Sequence, residues 1–183
     1  MRKSSFVLVL FVLVISLFAC QKPTKVEDMQ KQATTPQKQE EKMIKQEVSF
    51  YYPDEAVMYL CPEKITVNTR ESEFLESIVQ TLIKGPVSDK LNPSIMGEVD
   101  VLSVTLKEGI CTVDLSDEFV ANNTGGSTKE SMAIYSIVNT LCGLDGIDKV
   151  KINIEGNKNP DFGGHFDLSE PLAPNFSLVK NIV

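Results

Sequence analysis

Between residues 48 and 155 the strand-like segments, one short apolar run aside, alternate apolar with polar residues, and this restricts the chain to sheets with one buried face. Val48, Phe50 and Tyr52 alternate with Ser49 and Tyr51, and after turn residues Pro53, Asp54 and Glu55 a second apolar run extends from Val57 to Cys61. A hairpin is the simplest account. Leu102, Val104 and Leu106 then alternate with Ser103 and Thr105, Glu108 and Gly109 supply a turn, and Cys111, Val113 and Leu115 alternate with Thr112 and Asp114. That spacing predicts a second hairpin with one apolar face. A last strand places Val150, Ile152 and Ile154 inward and Lys149, Lys151, Asn153 and Glu155 outward.

Two helical stripes interrupt these strands. Phe74, Leu75, Ile78, Val79, Leu82 and Ile83 recur at i, i+1, i+4, i+5, i+8 and i+9, with Asn68 or Thr69 as the cap and Gly85 and Pro86 as the stop. Burying six such side chains contributes at most roughly 9–18 kcal/mol, which marks the stripe as core. The second helix opens at Ser127, where S-T-K-E reads as a capping box closed by Glu130, and buries Ile134, Ile137, Val138 and Leu141 up to Gly143. The expected fold is therefore α+β, a two-layer sandwich with a mixed sheet of about five strands and two helices on one face. The other face would show Ser103, Thr105, Lys107, Thr112, Asp114, Lys151 and Asn153 to solvent or to a partner.

The N-terminus belongs to none of this. Arg2 and Lys3 precede Phe6 to Ala19, where Ser16 is the lone polar residue. As a helix this run reaches roughly 21 Å, short of a hydrocarbon core of about 30 Å. Residues 1–19 read as a signal peptide. The tetrad Leu17, Phe18, Ala19, Cys20 resembles the lipobox of bacterial lipoproteins, with Cys20 as the thiol that takes the lipid; an uncleaved N-terminal anchor is the alternative. Two acyl chains such as palmitate hold a protein on a bilayer where one is marginal.

Residues 20–47 hold the lipidated Cys20 and a Gln- and Lys-rich tether, with residues 48–183 as the single folded domain. As a flexible coil the tether spans about 30 Å, with a short helix near Glu40 to Lys45 as the alternative. The whole chain carries a formal charge of -7, and ten bases against twenty acids lie in residues 48–183. An anionic leaflet repels such a domain, and nucleic acid is excluded as a partner because no dense run of Lys or Arg exists.

Beyond Cys20, the cysteines are Cys61, Cys111 and Cys142, in no zinc-binding spacing. They read as buried small hydrophobes, with a Cys111–Cys142 bond as the alternative. The one histidine, His165, would have to run any Ser/His/Asp or Cys/His mechanism. Asp167, two residues away on an extended strand, points in parallel and does not orient the ring. Gly163 and Gly164 are instead expected to make a tight turn from which His165 and Asp167 hydrogen-bond the C-terminal segment to the domain. Gly125 and Gly126 ahead of a helix suggest a phosphate cradle, but no Lys-Ser/Thr follows, so Gly126 and Ser127 read as a loop entering a capped helix. Asp114, Asp117 and Glu118 read as a turn in preference to a cation site.

Eight segments, FYYPDE at 50–55, LIKGP at 82–86, LSVTLKEGI at 102–110, CTVDLSDEF at 111–119, GGSTKES at 125–131, SIVNTL at 136–141, VKINIEG at 150–156 and GGHFDLSEPL at 163–172, together resemble the GerMN domain of sporulation and spore germination. The resemblance covers nearly all of the folded part. It differs from the founding pattern in having one copy in place of two and Cys111 where a small Ala is common. It implies protein assembly at the cell envelope of endospore formers, without chemistry and without a cofactor.

The sequence thus leads to a lipid-anchored protein on the extracytoplasmic face of the membrane, binding an envelope protein through its exposed sheet face or edge strands. Gly126, Ser127, Gly164, His165 and Asp167 are the candidate contact or structural residues. The alternative is a peptidoglycan-binding or cell-wall-hydrolase auxiliary protein.

Overall fold

A computed structural model describes residues 41–123, 125–157, 161–162 and 166–180. Strands β1 (Met43–Pro53) and β2 (Leu60–Arg70) form an antiparallel ribbon in register from Met43↔Arg70 to Pro53↔Leu60. The ribbon starts before the expected domain boundary at residue 48, and residues 43–45 lie in a strand where a short helix was the alternative. Its outer end carries little apolar alternation. The backbone ladder continues there, with exposed ion pairs across it from Lys64 to Glu47 at 2.8 Å and from Arg70 to Glu41 at 2.7 Å, and Arg70 also reaches Glu73 in the turn that follows. The inner half buries Val48, Phe50 and Tyr52. The Tyr52 hydroxyl donates to the Gly85 and Thr81 carbonyls (3.2 and 3.3 Å), and burial holds this phenol well above its ordinary pKa.

Helix α1 (Phe74–Lys84) follows a 3-10 turn over Glu71–Glu73 and buries Ile78, Val79 and Leu82 as the stripe predicts. Asn68 and Thr69, the expected caps, lie in β2, and Thr69 accepts a bond from Ser77 Oγ at 3.0 Å. The Gly85 amide closes the helix on Leu82 O at 3.1 Å.

Strands β3 (Val101–Lys107) and β4 (Ile110–Leu115) form the second hairpin. Glu108 and Gly109 both take left-handed backbone (φ 52° and 78°), the requirement of the two-residue turn that matches strand twist. Helix α2 (Glu118–Ala121) and helix α3 (Ser127–Cys142) lead to β5 (Lys149–Ile154), which pairs parallel to β4. A short hairpin, β6 (Asp161–Phe162) with β7 (Phe166–Asp167), completes the strands.

The α+β class, five principal strands and two principal helices are those expected. The strands, however, pair as a two-stranded ribbon and a three-stranded mixed sheet, β3-β4-β5, and not as one ladder. Alternation fixes which face of a strand is buried but leaves its neighbour open, and the connection 85–100 separates β2 from β3. Helix α3 packs on β1 and β5, and α1 on β2 and β3, so both sheets close over the same helix pair. Ile134, Ile137, Val138 and Leu141 are at most 1% exposed in that core.

Two expected faces change. Lys151, expected outside, is 9% exposed, and its Nζ donates to the carbonyls of Leu168 (2.5 Å) and Ser169 (2.6 Å). Thr112, Asp114 and Asn153 are half-buried; Ser103, Thr105 and Lys107 stay open. Leu102 and Leu106, expected inside, are 48% and 45% exposed, since β3 is the sheet edge and a bulge shifts its register between Val101 and Ser103.

The chain beyond β7 acts as a strap. Leu172 and Val150 exchange backbone bonds at 2.8 and 2.9 Å. The buried Asn139 side chain grips the main chain of Asn175 at both ends, accepting from its N–H at 2.8 Å and donating to its carbonyl at 3.1 Å. Phe176 packs on Tyr51 with centroids 6.1 Å apart, and the Lys180 amide reaches Leu60 O at 2.8 Å.

Candidate functional site

The turn between β1 and β2 organises one end of the domain. Asp54 Oδ1 accepts from the amides of Met58 (2.9 Å) and Tyr59 (3.3 Å), and these bonds, aided by Lys180, hold its carboxyl below the usual range. The connection 85–100 is stitched beneath: the Asn92 amide donates to Pro53 O at 2.9 Å and its side chain to Asp54 O at 2.8 Å. Glu63 accepts from the Val87 and Ser88 amides at 2.9 and 2.8 Å. Between this connection, the turn and the first turns of α3 lies a cavity of about 160 Å³, lined chiefly by Pro53, Pro93, Met96 and Met132, with Ser94, Asn123 and Lys129 among its polar residues. Ser94 is 4% exposed and its Oγ has no hydrogen-bond partner among the described residues. Asn123 is anchored by its own side chain on Phe119 O at 2.8 Å.

Helix α3 enters this site without the expected capping box. Gly126 is the cap residue, with no side chain to bond the first-turn amides, and Ser127 is the first helical residue. Gly126 has φ 78° and ψ 174°, backbone that essentially glycine alone adopts. Ser127 therefore lies past the point from which its hydroxyl would reach the Glu130 amide, and that amide donates to Gly126 O at 3.1 Å.

Asp167 does not join the C-terminal segment to the core. It is exposed and accepts from the Ser169 amide at 2.8 Å in a local turn, and hydrogen bonds from Ser169 hold its carboxyl below the usual range. Lys151 and Asn139 perform the fastening. Cys20, Gly164 and His165 lie outside the described residues.

The thiols are chemically quiet. Burial, then the neighbouring Cys142, pushes Cys111 up to about 12; burial, then Asp148, pushes Cys142 up to about 11; burial also raises Cys61. All three are free. Asp114, one of three acids weighed as a cation site, accepts from the Gly156 amide at 3.0 Å. Among the described residues no three His, Cys, Asp or Glu side chains gather as metal ligands, and no helix is long and apolar enough to cross a membrane.

The cavity residues were missed because no motif carries them. They come from four separate stretches of chain, and the nearest local sign is Asn92-Pro93, which marks only a turn.

Known proteins resemble the chain in this region and beyond it. The family model described as Germane, sporulation and spore germination, matches residues 49–160, and the chain belongs to this GerMN-domain family. The first GerMN domain of the sporulation protein GerM from Bacillus subtilis is 21% identical, with 70% of this chain and 97% of that one covered, at TM-score 0.58. The tandem GerMN domains of the same protein match at 21% identity and TM-score 0.59, with 71% of this chain and 46% of that one covered. A "Putative Lipoprotein" from Clostridium perfringens is 24% identical over 76% of this chain and 94% of its own, at TM-score 0.51. The three share the fold. No curated protein matches.

Proposed function

We propose that this chain is a lipid-anchored, extracytoplasmic and non-catalytic protein-interaction module, acting in the envelope during sporulation or spore germination. The observation that carries the reading is a GerMN-family domain placed behind a short apolar run that ends on Leu17-Phe18-Ala19-Cys20. The description of the Clostridium perfringens neighbour as a lipoprotein supports the anchor, and the sporulation role of Bacillus subtilis GerM supports the setting. The protonated thiols support a binding role over nucleophilic chemistry.

Crosslinking in intact sporulating cells, followed by affinity recovery of the full chain from membranes, tests this. Recovery of a defined envelope protein is expected. Recovery of none, together with cosedimentation of the purified protein with peptidoglycan, would overturn it in favour of a wall-binding protein.

A further inference from the structure

We propose that the free edge of β3 pairs antiparallel with β3 of a second copy of this chain, about a two-fold axis at Val104, so that two three-stranded sheets join into one of six strands. The two-residue turn at Glu108 and Gly109 makes Lys107 and Ile110 a hydrogen-bonded pair. Lys107, Thr105 and Ser103 therefore bond to β4, and the N–H and C=O groups of Leu106 and Val104 point off the sheet. Among the described residues β3 has β4 as its sole neighbouring strand, and no other segment bonds to those outward groups. The opposite edge, β5, is covered where Leu172 bonds to Val150 and where Lys151 holds Leu168 and Ser169. Strand β3 has little of the usual protection of an open edge. It is seven residues long, its one charged side chain, Lys107, is at its end, and Leu102 and Leu106 are 48% and 45% exposed.

The order of residues selects a second copy as the occupant. Leu102-Ser103-Val104-Thr105-Leu106 reads nearly the same in both directions. A two-fold antiparallel pair must set outward-pointing residues opposite one another, and a centre at Val104 is the one that keeps the whole strand paired. Leu102 then faces Leu106 of the second copy, Ser103 faces Thr105, and Val104 faces its own counterpart. The bulge sets both Val101 and Leu102 against Leu115, so Leu102 shares the apolar face of Val104 and Leu106, and the apolar faces of the two copies run on into each other.

Charge agrees with this register. Past the bulge Asp100 returns to the polar face, where its carbonyl accepts from the Ser116 amide and its amide donates to Ser116 Oγ, both at 3.0 Å. Lys107 of each copy comes beside Asp100 of the other, both of them exposed, while the two Lys107 side chains stand about 20 Å apart. A single strand pair buries less than the roughly 1,200–2,000 Å² of a stable interface, so the association is weak and reversible. It goes beyond the envelope partner proposed above and does not rest on it.

The test uses the purified full chain in mild detergent with diamide as oxidant, with Ser103→Cys and Thr105→Cys made in separate copies. Across the two-fold axis residues 103 and 105 form a non-hydrogen-bonded pair about 4.5 Å apart at Cα, within disulfide reach, whereas each lies about 7–8 Å from its own counterpart. The mixture should form covalent dimer at least about fivefold faster than either variant alone, with the unsubstituted chain as the background for its own thiols. Leu106→Lys in both variants should bring the mixture down to that background, with the urea midpoint unchanged because the position is already exposed; Leu102→Lys should do the same. Sedimentation equilibrium of the unsubstituted chain should show a reversible monomer–dimer exchange. Equal rates for the mixture and the single variants, a dimer indifferent to both lysine variants, or a monomer at every concentration would overturn the pairing. Disulfide capture of a different protein by Thr105→Cys in native membranes, with no self-dimer, would overturn the second copy as the occupant. None of these outcomes alters partner recovery from membranes, so the two readings fail separately.

Discussion

Asn139 and Asn175 should respond to alanine to very different degrees, although the two are bonded to each other. The Asn139 side chain is fully buried and uses both ends of its amide, at 2.8 and 3.1 Å, on the main chain of Asn175. Asn139→Ala removes two hydrogen bonds, each worth about 0.5–1.5 kcal/mol net, and leaves the N–H and C=O of Asn175 without those partners, for a total of about 2–3 kcal/mol. Asn175→Ala leaves the fork intact, because the fork holds its backbone. It removes only the Asn175 Oδ1 contacts with the amide and hydroxyl of Ser177 (3.2 and 2.6 Å), which are exposed and should cost about 0.5 kcal/mol. Urea unfolding separates the two. At a slope of roughly 2 kcal/mol/M the Asn139 variant should lose about 1–1.5 M in midpoint, and the Asn175 variant about 0.25 M. Hydrogen exchange should show residues 173–180 opening in the first variant alone. Equal losses in both variants, or no loss in Asn139→Ala, would refute the strap as a fastened part of the domain.

Other outcomes follow from single groups. Ser136 is fully buried and its Oγ has no hydrogen-bond partner among the described residues, so Ser136→Ala should raise stability by about 1 kcal/mol, read as an increased urea midpoint. The Asp54 carboxyl is held low in the folded state, so its contribution is present above the ordinary value of 3.8 and is lost as pH falls from there through the folded value. Asp54→Asn should flatten the acid limb of a stability–pH curve. An unchanged limb would mean that the Met58 and Tyr59 amide bonds do not act on the carboxyl. With Cys111 and Cys142 pushed up to about 12 and 11, neither thiol should react with a disulfide reagent at pH 8 until the chain is denatured. Fast labelling of the folded protein at Cys111 would contradict the packing around it.

Much of the fold could be read in the residues because burial dominates there. The stripe from Phe74 to Ile83, the helix core at Ile134, Ile137, Val138 and Leu141, and the inward set Val150, Ile152 and Ile154 all follow a period that no other arrangement satisfies. Pairing was less legible, since residues 43–47 are mostly exposed and are held by the backbone ladder, with no apolar face to mark them. Lys151 reads as a surface residue until the chain returns at Leu168 and Ser169 to accept its ammonium. The capping box failed for a local reason: Gly126 turns the chain through left-handed backbone, and the helix starts at the residue meant to cap it. The cavity could not be read at all, because Pro53, Ser94, Asn123 and Met132 meet only through the packing of distant segments.

The proposed function rests on placement outside the cell on an acylated cysteine. Intact mass measurement of the protein extracted from native membranes tests it most directly. The expected species begins at Cys20 and carries the added mass of a diacylglyceryl group. A chain that begins at Met1, or one cut elsewhere with an unmodified Cys20, would contradict it.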